Sequence, residues 1–253
     1  ALGDGTFFGG IAEGEPLNRF YGYVATGIIE TEEQAANANY DALSRLPQKG
    51  AKRVGDYEWA DRNGDGQITT ADKFCLGVTV PPFTGGLQNS FRLKNWTLSL
   101  YLDWATGHSI FDESYSRYFY GTFTNNYALA KDVLKAWKKP GDKTKYAKFY
   151  ANDSNWGNDN YNRSPTNTFT YKGDYLCLRE ITLQYSLPSK LFTKVGLKGV
   201  TLTVSGNNLC YFTEVKGISP ETGASTTYEG SGDNAYYNYP PIRRFSFGVR
   251  LIF

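Results

Sequence analysis

Twelve consecutive residues carry the clearest metal-ligating pattern in the chain: Asp61-Arg62-Asn63-Gly64-Asp65-Gly66-Gln67-Ile68-Thr69-Thr70-Ala71-Asp72. They match the calcium-loop template at positions 1, 3, 5, 6 and 12. Asp61, Asn63 and Asp65 supply side-chain oxygens, and Gln67 supplies a backbone carbonyl. Gly66 permits the sharp turn, and Ile68 points into an adjoining core. Asp72 stands where the template has Glu, so its shorter arm reaches less easily for bidentate binding. No strong helix precedes the loop, which argues against a paired EF-hand. The expectation is one structural Ca2+. The competing reading is a surface turn rich in Asx residues.

Other chemistry has little to stand on. His108 is the only histidine and follows Thr106-Gly107, which suits a surface turn. Any Ser-His-Asp or His-metal scheme would depend on it. There is no phosphate loop and no Gly-x-Ser-x-Gly elbow. Carboxylate pairs for glycoside cleavage leave no mark in linear spacing. No catalytic residue is therefore assigned, and the chain is read as a non-enzyme. The net charge of +2 gives no field for nucleic acid. Cys75, Cys177 and Cys210 form neither a disulfide framework nor a zinc pattern. Cys177 and Cys210 could lie on neighbouring strands, with two buried thiols the favoured reading.

The elements that would position any site are strands. Residues 243–253 alternate Phe245, Phe247, Val249, Leu251 and Phe253 with Ser246, Gly248, Arg250 and Ile252. Period two gives one apolar and one mostly polar face. The length suits a membrane-spanning strand of roughly 9–11 residues. Residues 84–105 form the strongest hairpin signal, turning at Lys94-Asn95. Leu87, Asn89, Phe91 and Leu93 alternate with Gln88, Ser90 and Arg92. Then Trp96, Leu98, Leu100, Leu102 and Trp104 alternate with Thr97, Ser99, Tyr101 and Asp103. Three leucines bracketed by two tryptophans suit acyl chains flanked by two interfaces. Tyr175–Ser186 reads as a strand with a bulge near Arg179-Glu180, where the apolar phase slips. Val200, Leu202 and Val204 begin the next strand.

Between these lie long segments. Residues 17–25 read as a first strand. A short helix is expected within residues 30–46, capped by Thr31. Residues 128–138 look helical, with Leu129, Val133, Leu134 and Trp137 on one side. The order is strand and long loop, then two hairpins with a long loop after each, then the closing strand. Short turns on one side and long loops on the other are the asymmetry of outer-membrane barrels. The chain has no run of the ~18 apolar residues that a spanning helix needs, which says nothing against a barrel.

Taken together, these segments resemble the carboxyl-terminal part of SusC/RagA-type TonB-dependent outer-membrane transporters of Bacteroidetes. The matching stretches are Glu15-Pro16-Leu17 with Phe20-Tyr21-Gly22-Tyr23, the loop at 61–72, and Pro82-Phe83-Thr84-Gly85-Gly86-Leu87. They continue with Asp174-Tyr175-Leu176 through Leu183-Gln184-Tyr185-Ser186-Leu187-Pro188. Val204-Ser205-Gly206-Asn207-Asn208-Leu209 and Tyr239-Pro240-Pro241 complete the set. The resemblance implies an all-β fold over residues 1–253: about the last six strands of a 22-stranded antiparallel transmembrane barrel. The plug and first strands lie elsewhere, because an open sheet leaves unpaired backbone edges in lipid.

It also implies TonB-dependent import of an oligosaccharide or peptide across the outer membrane. A SusD-like surface lipoprotein would act as lid, TonB would engage the missing amino-terminal part, and such pairs would dimerise. Loops 26–82, 106–173 and 213–242 would be extracellular and the carboxyl terminus periplasmic. Trp96, Leu98, Leu100, Leu102, Trp104, Phe245, Phe247, Val249, Leu251 and Phe253 would face lipid. Tyr115, Tyr118, Phe119, Tyr120 and Tyr127 could stack on a ligand, with loop packing the competing role for each. The alternative class is a secreted, calcium-stabilised β-sandwich that binds carbohydrate, in which the same apolar faces form a core.

Overall fold

The computed structural model describes residues 13–14, 16, 19–43, 52–113, 115–116, 119, 130–149, 160–161, 166–191, 196–221 and 241–253. These fall into two compact units. One lies within residues 1–80 and 109–171, and the other within 81–108, 172–221 and 239–253.

The first unit is built of short pieces. They are β1 (Arg19–Gly22), β2 (Ala25–Ile28), α1 (Glu32–Asn37), β3 (Tyr40–Asp41), β4 (Tyr57–Trp59), β5 (Gln67–Ile68) and β6 (Phe74–Val78). β1 pairs with β6, β2 with β4, and β3 with β5, each as a separate two-stranded sheet. The first strand expected at residues 17–25 therefore divides between β1 and β2 and does not join the main sheet. Thr31 caps α1 as expected. Its hydroxyl accepts from Gln34 N at 3.1 Å, and Gln34 Oε1 accepts from Thr31 N at 3.1 Å. The helix stops at Asn37 because Ala38 turns to ψ 146°, which frees the chain to enter β3.

The second unit is one sheet. After β7 (Phe83–Leu93) and β8 (Trp96–Thr106) the chain leaves through β9 (Ser109–Phe111) and returns through β10 (Thr170–Lys172). It then runs through β11 (Tyr175–Ser186), β12 (Gly199–Thr213) and β13 (Arg244–Ile252). The sheet order is β13-β12-β11-β8-β7, and every neighbouring pair is antiparallel. Five long strands thus follow one another as an up-and-down meander. A sandwich would have divided them between two sheets. Among the described residues this sheet has five strands, and β1 and β2 are not part of it. The β7–β8 turn takes only Lys94 and Asn95, with Lys94 at φ 51°.

Register sorts the side chains, since directly opposed residues share a face. One row reads Phe91, Leu98, Leu183, Val204, Phe247 across the five strands; the next reads Leu93, Trp96, Tyr185, Leu202, Val249. On the opposite face one row is Ser90, Ser99, Thr182, Ser205, Ser246, five hydroxyl groups in line. Ser90 and Ser99 lie 3.2 Å apart. The apolar face is open to its surroundings, and Phe247 keeps 82% of its surface exposed. The bulge expected near Arg179-Glu180 is present, with the register slipping between Leu178 and Glu180 against both neighbours.

Candidate functional site

The bulge puts Arg179 into the polar face as an extra residue. Its Nε and Nη2 donate to Asp103 Oδ1 and Oδ2 of β8 at 2.8 and 2.7 Å. Nη1 donates to Asn208 Oδ1 at 2.9 Å and to Tyr211 Oη at 3.1 Å, both from β12. Nη2 also donates to Glu221 Oε1. Five N–H donors therefore meet five acceptors, the full capacity of a guanidinium. Tyr211 O–H donates to the same Glu221 oxygen at 3.0 Å. Asn208 reaches the cluster from φ 52°, a left-handed conformation that asparagine tolerates better than most residues. The cluster sits at the end of the sheet from which the long connections leave.

Linear reading missed this constellation, since Asp103 and Glu221 lie 76 and 42 residues from Arg179. The one usable signal was the phase slip at Arg179. Replacing Arg179 with Met leaves two carboxylates facing each other. Because the pair is partly solvated, the cost should be about 2 kcal/mol, below the 3–5 typical of buried pairs. Urea unfolding of the protein in lipid vesicles measures it.

The loop at residues 61–72 folds upon its own backbone. Asp61 Oδ1 and Oδ2 accept from Gly64 N and Gly66 N at 2.7 and 2.8 Å. Asn63 Oδ1 accepts from Asp65 N at 3.1 Å, and Asp65 Oδ1 from Gln67 N at 2.8 Å. The bonds to Asn63 and Asp65 are Asx turns, while Asp61 reaches the third and fifth residues beyond it. Gly66 sits at φ 78°, a conformation costly for any residue with a Cβ, as the template requires. Among the described residues, no three His, Cys, Asp or Glu side chains converge closely enough to hold a metal ion. The carboxylates are engaged with amides, although each oxygen retains a second lone pair for a cation.

Asp72 is fully buried and closes the loop. It accepts from Arg62 N at 2.9 Å and from Thr69 N at 2.7 Å. Burial works against its ionisation, but the bonds from Thr69, Arg62 and Asn63 together outweigh it and hold the carboxyl below the usual aspartate range. The folded state then binds this proton less readily than the unfolded chain. The resulting stability is present above the unfolded aspartate pKa and lost as pH falls through the lower folded one. Asp72→Ala should cost about 1–2 kcal/mol, because the part-buried amides of Arg62 and Thr69 lose their acceptor. Asp72→Asn should flatten the acid side of the profile. Urea unfolding followed through Trp59, buried in the same unit, reads both effects.

Against known proteins, no family model matches the chain. TonB-dependent receptor P3 of Formosa agariphila is 29% identical over 252 residues, covering 96% of this chain and 23% of that receptor. TonB-dependent receptor P39 of the same organism is 30% identical over 254 residues, covering 87% of this chain and 24% of the receptor. This chain is a homologue of the TonB-dependent receptors. It spans about a quarter of the length of the curated relatives it matches. Among solved structures, the RagAB peptide importer in its open-open state superposes with a TM-score of 0.62 at 21% identity, covering 95% of this chain and 23% of that one. The closed-closed state gives 0.58 at 20% identity, covering 92% and 23%. The five-stranded meander thus shares the fold of the matching part of that importer.

In that receptor fold several expected residues take other roles. Phe119 is a correction: its ring is fully buried and offers no face to a ligand. It stacks on Tyr146 at 4.7 Å and meets Phe169 and Tyr161 at 5.2 and 5.3 Å. Tyr115, partly buried, packs edge-on against Phe119 at 5.3 Å. Tyr118, Tyr120 and Tyr127 lie outside the described residues. Burial pushes the phenols of Tyr57 and Tyr161 up, so both stay protonated and donate. Their partners are Lys145 O at 2.8 Å and Ala147 O at 2.6 Å.

His108 is not in a surface turn; it is 4% exposed. Its Nε2 lies 3.3 Å from Pro220 O, under Gly173, where a Cβ would come within 2.3 Å of the ring. The expected helix at 128–138 is, in its described part, a 3-10 turn over Lys131–Lys135. With three residues per turn, Ala130, Val133 and Ala136 share the inner side and Leu134 turns outward, 72% exposed. Residues 128 and 129 lie outside the described residues. Cys177 and Cys210 do lie on neighbouring strands but on opposite faces, opposed to Tyr211 and Leu178, so both are free thiols.

Proposed function

We propose that this chain supplies part of the wall and outer loops of a TonB-dependent importer that carries a nutrient across the outer membrane. The observation that carries the reading is the two-faced sorting of the five-stranded meander, to which Asn89 on the apolar side and Ile252 on the polar side are exceptions. One face has aromatic and aliphatic rows open to the surroundings, and the other has hydroxyl, amide and charged rows. Lipid on the first face and a wet lumen on the second explain both. The outer strands β7 and β13 keep one edge free within the sheet. Strands from the remainder of the barrel pair with them in this reading, since lipid cannot satisfy bare backbone. Residues 1–253 then belong to one barrel segment with its loops.

The cargo is an oligosaccharide or peptide, delivered with a SusD-like lipoprotein lid and energised through TonB; paired complexes form the working unit. The long connections lie outside the cell and the carboxyl terminus in the periplasm. Asp61, Asn63, Asp65, the Gln67 carbonyl and Asp72 hold one structural Ca2+, supported by the residue types and the Asx turns rather than by a preformed carboxylate cluster. Calorimetry at millimolar Ca2+ tests the ion, and no heat there would remove it from the account.

Native purification from outer membranes in detergent, with mass spectrometry of what co-purifies, tests the whole reading. Recovery with the plug-bearing remainder and a surface lipoprotein is expected, together with loss of growth on one glycan or peptide source when the gene is deleted. A monodisperse water-soluble protein without partners would overturn it.

A further inference from the structure

One guanidinium on the polar face holds two carboxylates of different origin. Asp103 stands on the adjacent strand and takes two N–H groups of Arg179, a fixed fork that already neutralises it. Glu221 comes instead from the segment that leaves β12. Its Oε1 is held by Arg179 Nη2 and by Tyr211 O–H. Both donors stand on strands, so the place for that oxygen is set by the barrel wall, while the oxygen itself is delivered by a loop. The second carboxylate also leaves the cluster one negative charge in excess. Glu221 remains partly open to solvent, with 32% of its side chain exposed.

We propose that Arg179 and Tyr211 form a carboxylate-recognising subsite on the lumen side of the wall, filled here by Glu221 as an internal stand-in that anionic cargo displaces. This rests on the import reading and narrows its substrate class. The exchange is electrically neutral, one carboxylate leaving as another arrives, so the Asp103–Arg179 fork stays intact. Displacement detaches residue 221 from the wall. The free α-carboxylate of a peptide and the carboxylate of a uronic acid share the needed chemistry.

The test uses the full-length receptor in detergent and calorimetry with four probes: trialanine, trialanine amide, digalacturonic acid and its methyl ester. Glu221→Ala removes the internal competitor and should tighten binding of a free-carboxylate probe about tenfold, with the capped form at least about tenfold weaker. Glu221→Gln, which loses the charge but keeps the shape, should fall between wild type and alanine. Tyr211→Phe in the Glu221→Ala background should shrink the preference for the free carboxylate by about fivefold. Retained heat-modifiable gel mobility establishes that each variant is folded. A preference confined to trialanine assigns the subsite to peptide termini, and one confined to digalacturonic acid assigns it to acidic sugars; either supports the proposal. Equal binding of free and capped probes by folded Glu221→Ala, or binding of none, overturns it. If that happens while nutrient uptake is normal, the subsite fails and import stands. Carboxylate-selective binding by a protein that imports nothing would mean the reverse.

Discussion

Phe119→Ala should destabilise the first unit by about 3–5 kcal/mol, the usual cost of emptying a fully buried aromatic site. The ring is the hub of a cluster that includes Tyr57, Trp59, Tyr146, Tyr161 and Phe169, all buried. Among the described residues of that unit the strands run two to five residues, and α1 spans six. Such pieces do not stand alone, so side-chain packing must hold them. Aromatic contacts at 4.7–5.3 Å around Phe119 add specific geometry to the burial. Hydrogen exchange at the amides of residues 57–59 and 146–147 would report the loss. A change below about 1 kcal/mol would mean the cluster closes around the void, contrary to a close-packed interior. Phe119→Leu should cost clearly less, because most of the volume remains.

Phe247→Arg should cost about 2–4 kcal/mol in lipid vesicles, whereas Ser246→Arg should cost less than about 1. The two residues are neighbours in β13, near the middle of its nine residues, and differ in the face they occupy. Phe247 shares a row with Val204, Leu183, Leu98 and Phe91; Ser246 shares one with Ser205, Thr182, Ser99 and Ser90. In water the two substitutions would be alike, since both positions are exposed. Only a solvent that differs between the faces separates them. Reversible urea unfolding of the full-length receptor in vesicles gives both values. Equal costs, or the larger cost at Ser246, would contradict lipid contact at Phe247.

What was legible in the sequence followed from local period and turn chemistry. The β7–β8 hairpin, the closing strand, the bulge at Arg179 and the Thr31 cap all leave marks within a few residues. The bulge showed because Leu176 and Leu178 fall out of phase with Ile181 and Leu183, which one extra residue must cause. The rest depends on partners far apart in the chain. Asn167 bonds Ala25 across 142 residues, donating to its carbonyl and accepting from its amide, and nothing near either residue announces it. For Phe119 and Tyr115 ligand stacking and loop packing could not be told apart, because the groups they pack against, Tyr146, Tyr161 and Phe169, come later in the chain. His108 looked like a turn residue for the same reason. At 131–135 the error was one of period. Three residues per turn and 3.6 predict different inner faces over so short a span, and Leu134 falls on the outside only with three. The loop at 61–72 shows both sides of the matter. Its turn geometry follows the template, while the occupancy of its oxygens depends on an ion that no pattern of residues can supply.

The central claim is that one face of this sheet meets lipid and the other meets water. Nitroxide scanning of residues 245 to 252 in the full-length receptor, reconstituted in bilayers, tests it most directly. Collision with oxygen should peak at 245, 247, 249 and 251, and collision with a water-soluble nickel complex at 246, 248 and 250, with a period of two residues. Nickel access at all eight positions, or alternation in the opposite phase, would contradict it.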